Sequence, residues 1–200
     1  MTTAVATTAP AKPTARVRVL ADAVGTSIAA NIAVVLVGTA LLAGAARVII
    51  PLPFTPVPVS LATLAVFGIG AAMGPLRGFA SAALYMVLGL AGVPVFAGGN
   101  VGWAFASFGY VIGYVAAATL AGYLASRAWD RKPLTTGAIA VLGTVVVYAF
   151  GLVWLGVYGQ MGVVETLQAG AVPFIIGDLL KAAVLAGVMP AAWALLGRRA

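Results

Sequence analysis

The apolar segment at residues 173–187, PFIIGDLLKAAVLAG, carries an aspartate and a lysine three positions apart, Asp178 and Lys181. It lies in a longer apolar run, residues 171–196, which is long enough to cross a bilayer as a helix, since a crossing takes roughly 20 residues. An aspartate or a lysine at the centre of such a helix costs about 2.5–3.5 kcal/mol on insertion scales. Because charged residues of this kind usually face the interior of a bundle, the segment predicts membrane-spanning helices around a polar feature.

The composition of the whole chain indicates the same class of protein. Of its 200 residues, 63% are hydrophobic and 8% are charged, and the mean hydropathy is +1.13. These values lie far outside those of soluble domains and predict an integral membrane protein. The net charge of +7 does not indicate nucleic-acid binding, because the basic residues form short clusters between apolar runs. With no cysteine and no histidine, the sequence predicts neither a metal site nor a thiol-based active site.

Six apolar runs are candidate membrane spans, and the second and third are short. They cover residues 27–48, 59–73, 78–90, 103–124, 134–155 and 171–196. Ahead of them, residues 1–25 are rich in threonine, alanine and proline and then basic, which predicts a disordered cytoplasmic tail before a transmembrane domain at residues 26–200. The basic clusters fall on one side of a six-span arrangement, with Arg77 between the second and third spans and only Arg47 on the other side. The positive-inside rule then places both termini in the cytoplasm, and the predicted fold class is all-α with six transmembrane helices.

The connections on the outer side have unusual compositions. The first, IIPLPFTPVPVS, contains four prolines and is expected to lie extended. The second, GVPVFAGGNVGW, contains Gly98 and Gly99, where backbone can approach a ligand closely. The third, GVYGQMGVVETLQAGAV, is the longest and is predicted to be a loop that carries Glu165. The two apolar connections either fold back over the bundle as plugs or form a lid over a pocket that opens outward.

The pair Asp178 and Lys181 has three interpretations. It can be an ion pair that only neutralises both charges and holds helices together. It can form the polar floor of a pocket, where Lys181 meets a carboxylate and Asp178 accepts hydrogen bonds from N–H donors. It can also belong to a proton relay, but the spans contain no histidine and no second acid to continue such a chain. We favour the pocket floor.

Further pocket candidates lie near the predicted loops. Asn100 either turns its amide into the cavity or serves as a turn residue. Tyr85 in the third span and Tyr110 in the fourth either present hydroxyl groups to the pocket or pack within the bundle. In the first span, Ala29 and Ala33 lie four apart, a spacing of small residues that allows another helix to pack closely.

Four sequence blocks carry a resemblance to a known family. They are IPLPFTPVPVSLATLAV, GPLRGFASAALYMVLGLAGVPVFAGG, SFGYVIGY and PFIIGDLLKAAV, in this order. Together they resemble the motif blocks of the BioY family, the biotin-binding S components of energy-coupling factor (ECF) transporters. The resemblance implies a six-helix S-component fold in the cytoplasmic membrane of a prokaryote and capture of biotin from the outside. It also implies a transmembrane coupling subunit and two ABC ATPases as partners, so that this chain is not itself an enzyme and needs no cofactor.

The resemblance also assigns roles to residues. The acid and the lysine of the family's GD-x-x-K block fall on Asp178 and Lys181, and its polar position in the loop after the third helix falls on Asn100. The A-x-x-x-A pattern that meets the coupling subunit in S components falls on Ala29 and Ala33. Two blocks depart from the family pattern. Ala62 stands where a glutamine is common, and the block before the fourth helix, FASFGY, keeps Ser107 and Tyr110 but lacks a proline.

Biotin suits a site of this composition. Its carboxylate can meet a cation, its ureido ring offers N–H donors and a carbonyl acceptor, and its apolar ring and chain can be covered by side chains such as Phe54 and Phe96. We expect Lys181 and Asp178 to divide the polar ends of biotin between them, without an assignment of either end.

Other functions stay open at this point. An S component for another small vitamin is the first, although thiamine is a cation and would be disfavoured by Lys181. An intramembrane enzyme is the second, and it would have only Asp178 and Lys181 as candidate nucleophile and base. The sequence also leaves open whether the chain, surrounded by lipid, acts alone, as a homo-oligomer or only with its energising partners.

Overall fold

The computed structural model describes residues 18–197, and this part of the chain is mostly helical. Its helices are α1 (Ile28–Arg47), α2 (Ala62–Met73), α3 (Pro75–Leu90), α4 (Phe108–Ser126), α5 (Pro133–Gly159), α6 (Val163–Gly170) and α7 (Ile175–Gly197). Two short strands, β1 (Ile49–Ile50) and β2 (Val59–Ser60), pair antiparallel with Ile49 opposite Ser60. The four-proline connection between them, called the ribbon below, contains no helix, as its prolines predict. It is not extended as predicted, because it turns at residues 53–54 and bends at residues 56–57 so that the two strands can pair.

Several helices are suited to a membrane. Within residues 18–197, four stretches are long and apolar enough to cross one: α1, α4, α5 and the stretch 163–197 that contains α6 and α7. The helices α2 and α3 are shorter, at 12 and 16 residues, or about 18 and 24 Å at 1.5 Å per residue. The chain is a multi-pass membrane protein with both long and short apolar helices.

Local signals explain several helix ends. The Ser27 side chain caps α1 by accepting a hydrogen bond from the Ala30 N–H at 3.1 Å. Proline occupies the first position of α3 and of α5, where the missing N–H costs nothing. Between α2 and α3 stands Gly74 alone, with φ +84°, a conformation that lets the chain reverse without a Cβ clash.

The core is centred on α4. This helix is the most buried of the long ones and packs against α2, α3 and α5, while α7 packs against α5 and α2. Contacts between the connections define two ends of the bundle: Thr55 of the ribbon bonds to Ala169 just before α7, and Gly122 near the end of α4 lies against Gly74. One end holds the ribbon, the loop after α3 and the start of α7, and the other holds the Gly74 turn and the segment between α4 and α5.

The structure corrects three boundaries predicted from the sequence. Arg77 lies within the first turn of α3 and not between two spans, because one glycine suffices for the reversal. The fourth helix begins at Phe108 and not near Trp103, and the carbonyl groups of Ala104 and Phe105 before it accept hydrogen bonds from the Tyr158 and Trp154 side chains of α5. The third outer connection is not a loop, because residues 163–170 form α6, which buries Thr166 one turn from its start.

The predicted N-terminal tail falls partly within the described residues. Residues 1–17 lie outside the described residues. Within the rest of the predicted tail, Leu20–Ala23 form a short 3-10 turn, and Asp22 in this turn pairs with Arg77 of α3 at 2.9 Å. The ordered structure therefore begins before the first predicted span.

Candidate functional site

A cavity lies at the end of the bundle that holds the ribbon and the start of α7. It is enclosed by three helices of the bundle core together with α7 and by residues of the two apolar connections. The lining residues are Val57, Pro58, Ser60, Thr63, Ala97, Ser107, Tyr110, Tyr114, Val147, Tyr148, Phe174, Asp178 and Lys181. Hydroxyl groups and one pair of opposite charges give this cavity a polar lining within an apolar bundle.

The charged pair lies in this cavity. Asp178 occupies the first turn of α7, and its Oδ1 is 3.0 Å from Nζ of Lys181, one turn further along the helix. Both side chains are about nine-tenths buried, with 10% and 11% of their surface exposed. Two charges of opposite sign so close together and so far from water neutralise each other, so that the cavity carries no net charge from this pair.

Two other helices hold the pair. The ammonium group of Lys181 donates a hydrogen bond to Oγ1 of Thr63 on α2 at 3.0 Å. The hydroxyl group of Tyr148 on α5 donates to Oδ2 of Asp178 at 2.5 Å. A continuous chain of hydrogen bonds thus runs from α2 through α7 to α5, and the two charged groups stand in its middle.

Four of the predicted binding residues line this cavity: Asp178, Lys181, Tyr110 and Ser107. Tyr110 is buried and its hydroxyl group donates to the carbonyl oxygen of Gly170 at 2.8 Å, which ties α4 to the end of α6. The structure therefore brings together residues from the third and fourth sequence blocks.

The other predicted binding residues lie elsewhere. Phe96 is fully buried and packs edge-on against Tyr85, with their ring centroids 5.2 Å apart, so that both belong to the packed core beside the cavity. Phe54, in the ribbon connection, is 66% exposed and faces away from the bundle. Whether these rings contact a ligand stays a prediction.

The glycine turn after α3 has its own geometry. Gly98 and Gly99 have φ of +70° and +80°, in a turn whose first residue, Ala97, lines the cavity. The Asn100 amide donates to the carbonyl oxygen of Ala97 at 2.8 Å and is exposed, which is the behaviour of a turn residue. Beside this turn, the guanidinium group of Arg47 at the end of α1 donates to the carbonyl oxygen of Pro94.

The cavity is small in this conformation. Its volume is about 50 Å³, whereas sites for small organic ligands usually measure roughly 300–1,000 Å³. Part of its wall comes from Val57 and Pro58 in the ribbon connection and from Ala97 in the glycine turn. A ligand of vitamin size would be enclosed only after some of these walls have moved outward.

A separate polar cluster occupies the opposite end of the bundle. Arg77 donates to Asn31 of α1 at 2.8 Å and pairs with Asp22, which joins the chain before α1 to α3. In the segment between α4 and α5, Asp130 is fully buried and accepts a hydrogen bond from the Trp193 indole. Burial raises the pKa of the Asp130 carboxyl group, while the hydrogen bond from Trp193 opposes this effect.

Sequence reasoning missed Thr63 and Tyr148, which both touch the charged pair. Thr63 directly follows Ala62, the position that departs from the family pattern, and only its hydroxyl group could have drawn attention. Tyr148 lies in the middle of the long apolar helix α5, where no local pattern distinguishes a tyrosine that faces a cavity from one that faces lipid. Its role depends on the packing of α5 against α7.

These features define a helical membrane protein with a small, polar cavity near one end that carries a neutralised ion pair. A family model for BioY matches residues 13–198, and the chain belongs to the BioY family. The resemblance predicted from the four sequence blocks is thereby confirmed.

Individual relatives agree with this assignment. The biotin transporter BioY of Rhizobium etli is 33% identical over 147 residues, which cover 68% of this chain and 78% of the relative. A probable biotin transporter BioY of Pyrococcus horikoshii is 34% identical over 128 residues, which cover 64% of this chain and 75% of the relative. Among solved structures, the S-component for biotin from an ECF-type ABC transporter superposes on this chain with a TM-score of 0.70 at 24% sequence identity. The superposition covers 83% of this chain and 93% of that S-component. The chain therefore has the fold of that S-component.

Proposed function

We propose that this protein captures biotin and takes part in its uptake as the substrate-binding S component of an ECF transporter. The proposal rests on the ion pair of Asp178 and Lys181, which is buried in a cavity beneath two apolar connections in a member of the BioY family. Intramembrane ionisable residues that face a cavity usually serve a substrate.

The charge balance of the cavity supports one orientation of biotin. Because Asp178 already neutralises Lys181, the pair offers no uncompensated positive charge to a carboxylate. It does offer a free N–H of Lys181 and free lone pairs of Asp178, which complement the carbonyl and N–H groups of a neutral ureido ring. Arg47, exposed beside the glycine turn at the same end, is the candidate for the carboxylate of biotin. The ureido ring would then lie deep and the carboxylate near the surface.

The membrane topology follows from the distribution of basic residues. We place α1, α2, α3, α4, α5 and α7 across the membrane, with α6 at the outer surface and both termini in the cytoplasm. The short helices α2 and α3 fit this arrangement if the ribbon and the glycine turn complete the outer part of the crossing, because irregular backbone is tolerated where protein buries it. The cavity then opens to the outside of a prokaryotic cytoplasmic membrane.

A coupling subunit and two ABC ATPases would supply the energy. Ala29 and Ala33 support such an interface because both are exposed on the same face of α1, where small side chains let another helix approach closely. We propose this face as the contact with the transmembrane coupling subunit. The chain itself then has no ATPase role.

Calorimetric titration of the purified protein in detergent tests the proposal. We expect saturable binding of biotin, and no binding of thiamine or riboflavin at the same concentrations. Saturation by one of those vitamins without binding of biotin would show that the protein is an S component of another specificity. Absence of binding for all three would contradict the assignment of the cavity.

A further inference from the structure

The charged pair by itself does not have a fixed geometry. Asp178 and Lys181 face each other because they lie three residues apart on α7, but lysine has a long, flexible stem and an i,i+3 pair on one helix contributes little stability. A ligand that must meet both groups at once benefits when they are held in place beforehand, because the loss of side-chain freedom on binding is then smaller.

Two hydroxyl groups outside α7 supply this restraint. Thr63 of α2 accepts a hydrogen bond from Nζ of Lys181 at 3.0 Å, and Tyr148 of α5 donates to Oδ2 of Asp178 at 2.5 Å. Each hydroxyl group holds one member of the pair from a different neighbouring helix. Both residues are partly buried and both line the same cavity as the pair.

The hydrogen bonds of the pair determine which donors and acceptors are left for a ligand. An ammonium group has three donors, and Lys181 uses one toward Asp178 and one toward Thr63. Each carboxylate oxygen of Asp178 receives one donor and keeps further acceptor capacity. The two hydroxyl groups therefore leave one N–H and the remaining acceptor sites of the carboxylate in a defined arrangement.

Tyr148 also forms part of a wall. On its other side, an apolar crevice of about 170 Å³ runs between α5 and α7, and both Tyr148 and Asp178 line it together with residues such as Val145 and Leu179. The exposed faces of Val145 and Leu179 identify this crevice as open toward the surface of the bundle. The hydrogen bond between Tyr148 and Asp178 thus closes the cavity on the side of the α5–α7 seam.

We infer that Tyr148 and Thr63 are positioning residues for biotin binding: they act through Asp178 and Lys181 and set the arrangement of polar groups that the ligand meets. This inference rests on the proposed function. Tyr148 and Thr63 act on the same ion pair. If either hydrogen bond is lost, the pair can reorient, and the other hydrogen bond then restrains it less.

Two variants test this inference: Tyr148→Phe removes the hydroxyl group, and Thr63→Val replaces it by a methyl group. Their biotin affinity is measured by calorimetric titration of the full chain in detergent. We expect each to weaken biotin binding by about 10-fold while the midpoint of thermal unfolding stays close to that of the parent. Thr63→Ser restores the hydroxyl group and should bind within about twofold of the parent. Tyr158→Phe is the matched control on α5, since the Tyr158 hydroxyl group donates to the Ala104 carbonyl oxygen far from the pair, and it should also stay within about twofold.

The double variant distinguishes positioning from independent contact. If both residues act through the same pair, Tyr148→Phe combined with Thr63→Val should weaken binding by clearly less than the product of the two single effects, about 30-fold and not about 100-fold. Fully multiplicative effects would overturn the inference, as would a single variant that binds like the parent or one that loses binding only in proportion to its loss of thermal stability. If the parent itself fails to bind biotin, the proposed function is wrong; if the parent binds and these variants do not matter, only the positioning role is wrong.

Discussion

Two ion pairs within residues 18–197 have nearly the same distance between their charged atoms and different surroundings. Asp178 and Lys181 lie 3.0 Å apart on one helix, and Asp22 and Arg77 lie 2.9 Å apart but come from segments separated by 55 positions in the chain. The first pair lines a cavity and bonds to hydroxyl groups. The second joins the turn before α1 to the start of α3, with Asn31 of α1 as its third member.

This difference shows what each pair contributes. A pair within one helix forms as soon as the helix forms, so it adds little to the stability of the tertiary fold, and its burial has to be explained by function. A pair between distant segments exists only in the folded chain, so its energy counts directly toward stability. We therefore expect substitutions at the cavity end to change binding first, and substitutions at the opposite end to change stability first.

The largest effect is expected for Asp178→Asn. The variant keeps the shape of the side chain but removes the negative charge. Lys181 is then buried without its counter-charge, and the site loses a carboxylate acceptor for the ligand. We expect biotin binding to fall by about 1,000-fold, in the range reported for the loss of one member of a buried charge pair. Titration with biotin measures this effect, and Lys181→Ala should behave alike. If both variants bound biotin as tightly as the parent, the cavity would not be the biotin site.

Phe96→Ala addresses whether the cavity end also contributes to stability through packing. The ring is fully buried against Tyr85, Phe105 and Phe108, so its removal leaves a void in the core. We expect a loss of about 3 kcal/mol in the free energy of unfolding, seen as a lower midpoint in thermal unfolding in detergent. A strong loss of biotin affinity with unchanged stability would instead assign Phe96 to the ligand, as the sequence predicted.

Arg77→Ala tests the opposite end. It removes the ion pair with Asp22 and the hydrogen bond to Asn31, both of which are only partly buried. We expect stability to fall by about 1–2 kcal/mol and biotin affinity to stay within about twofold of the parent. Asp22→Asn, as a matched change of the partner, should give a similar but smaller loss. A larger effect on binding than on stability would remove the distinction between the two ends.

The smallest effect concerns the pH dependence of stability. The pKa of Asp130 is raised in the folded state, so the stability linked to this group is fully present below its ordinary pKa and is lost as the pH rises through the raised value. Asp130→Asn keeps an acceptor for Trp193 and abolishes the titration, so we expect it to be slightly more stable than the parent at neutral pH. This advantage should shrink as the pH is lowered toward 4 in thermal unfolding experiments. An advantage that does not change with pH would contradict the burial of a charged group at this site.

Much of the fold could be predicted from local features. Apolar runs marked the helices, and the prolines of the first outer connection excluded a helix there, although they did not predict its turn at residues 53–54. The prediction of helix positions was wrong where the same local pattern is compatible with a helix and with a loop. The segment that forms α6 lies between glycines and was taken as a loop, and the start of α4 was placed five residues early because apolar residues continue into the preceding turn.

The candidate site could be predicted in part for the same reason. Asp178 and Lys181 were recognisable because charged residues are rare in an apolar helix. Thr63 and Tyr148 were not, because a threonine and a tyrosine are ordinary in such helices, and only the packing of α2 and α5 against α7 brings their hydroxyl groups to the pair.

The sequence by itself determined that this protein lies in a membrane, which segments form its helices, and which two charges need an explanation. These properties depend on composition and on spacing along the chain, and both can be read locally. Only the tertiary structure decided that the pair is held by hydroxyl groups from two other helices, that Phe96 packs in the core, and that Arg77 ties the start of the chain to α3. Each of these contacts joins residues far apart in the sequence, and their positions follow from how the helices pack against one another.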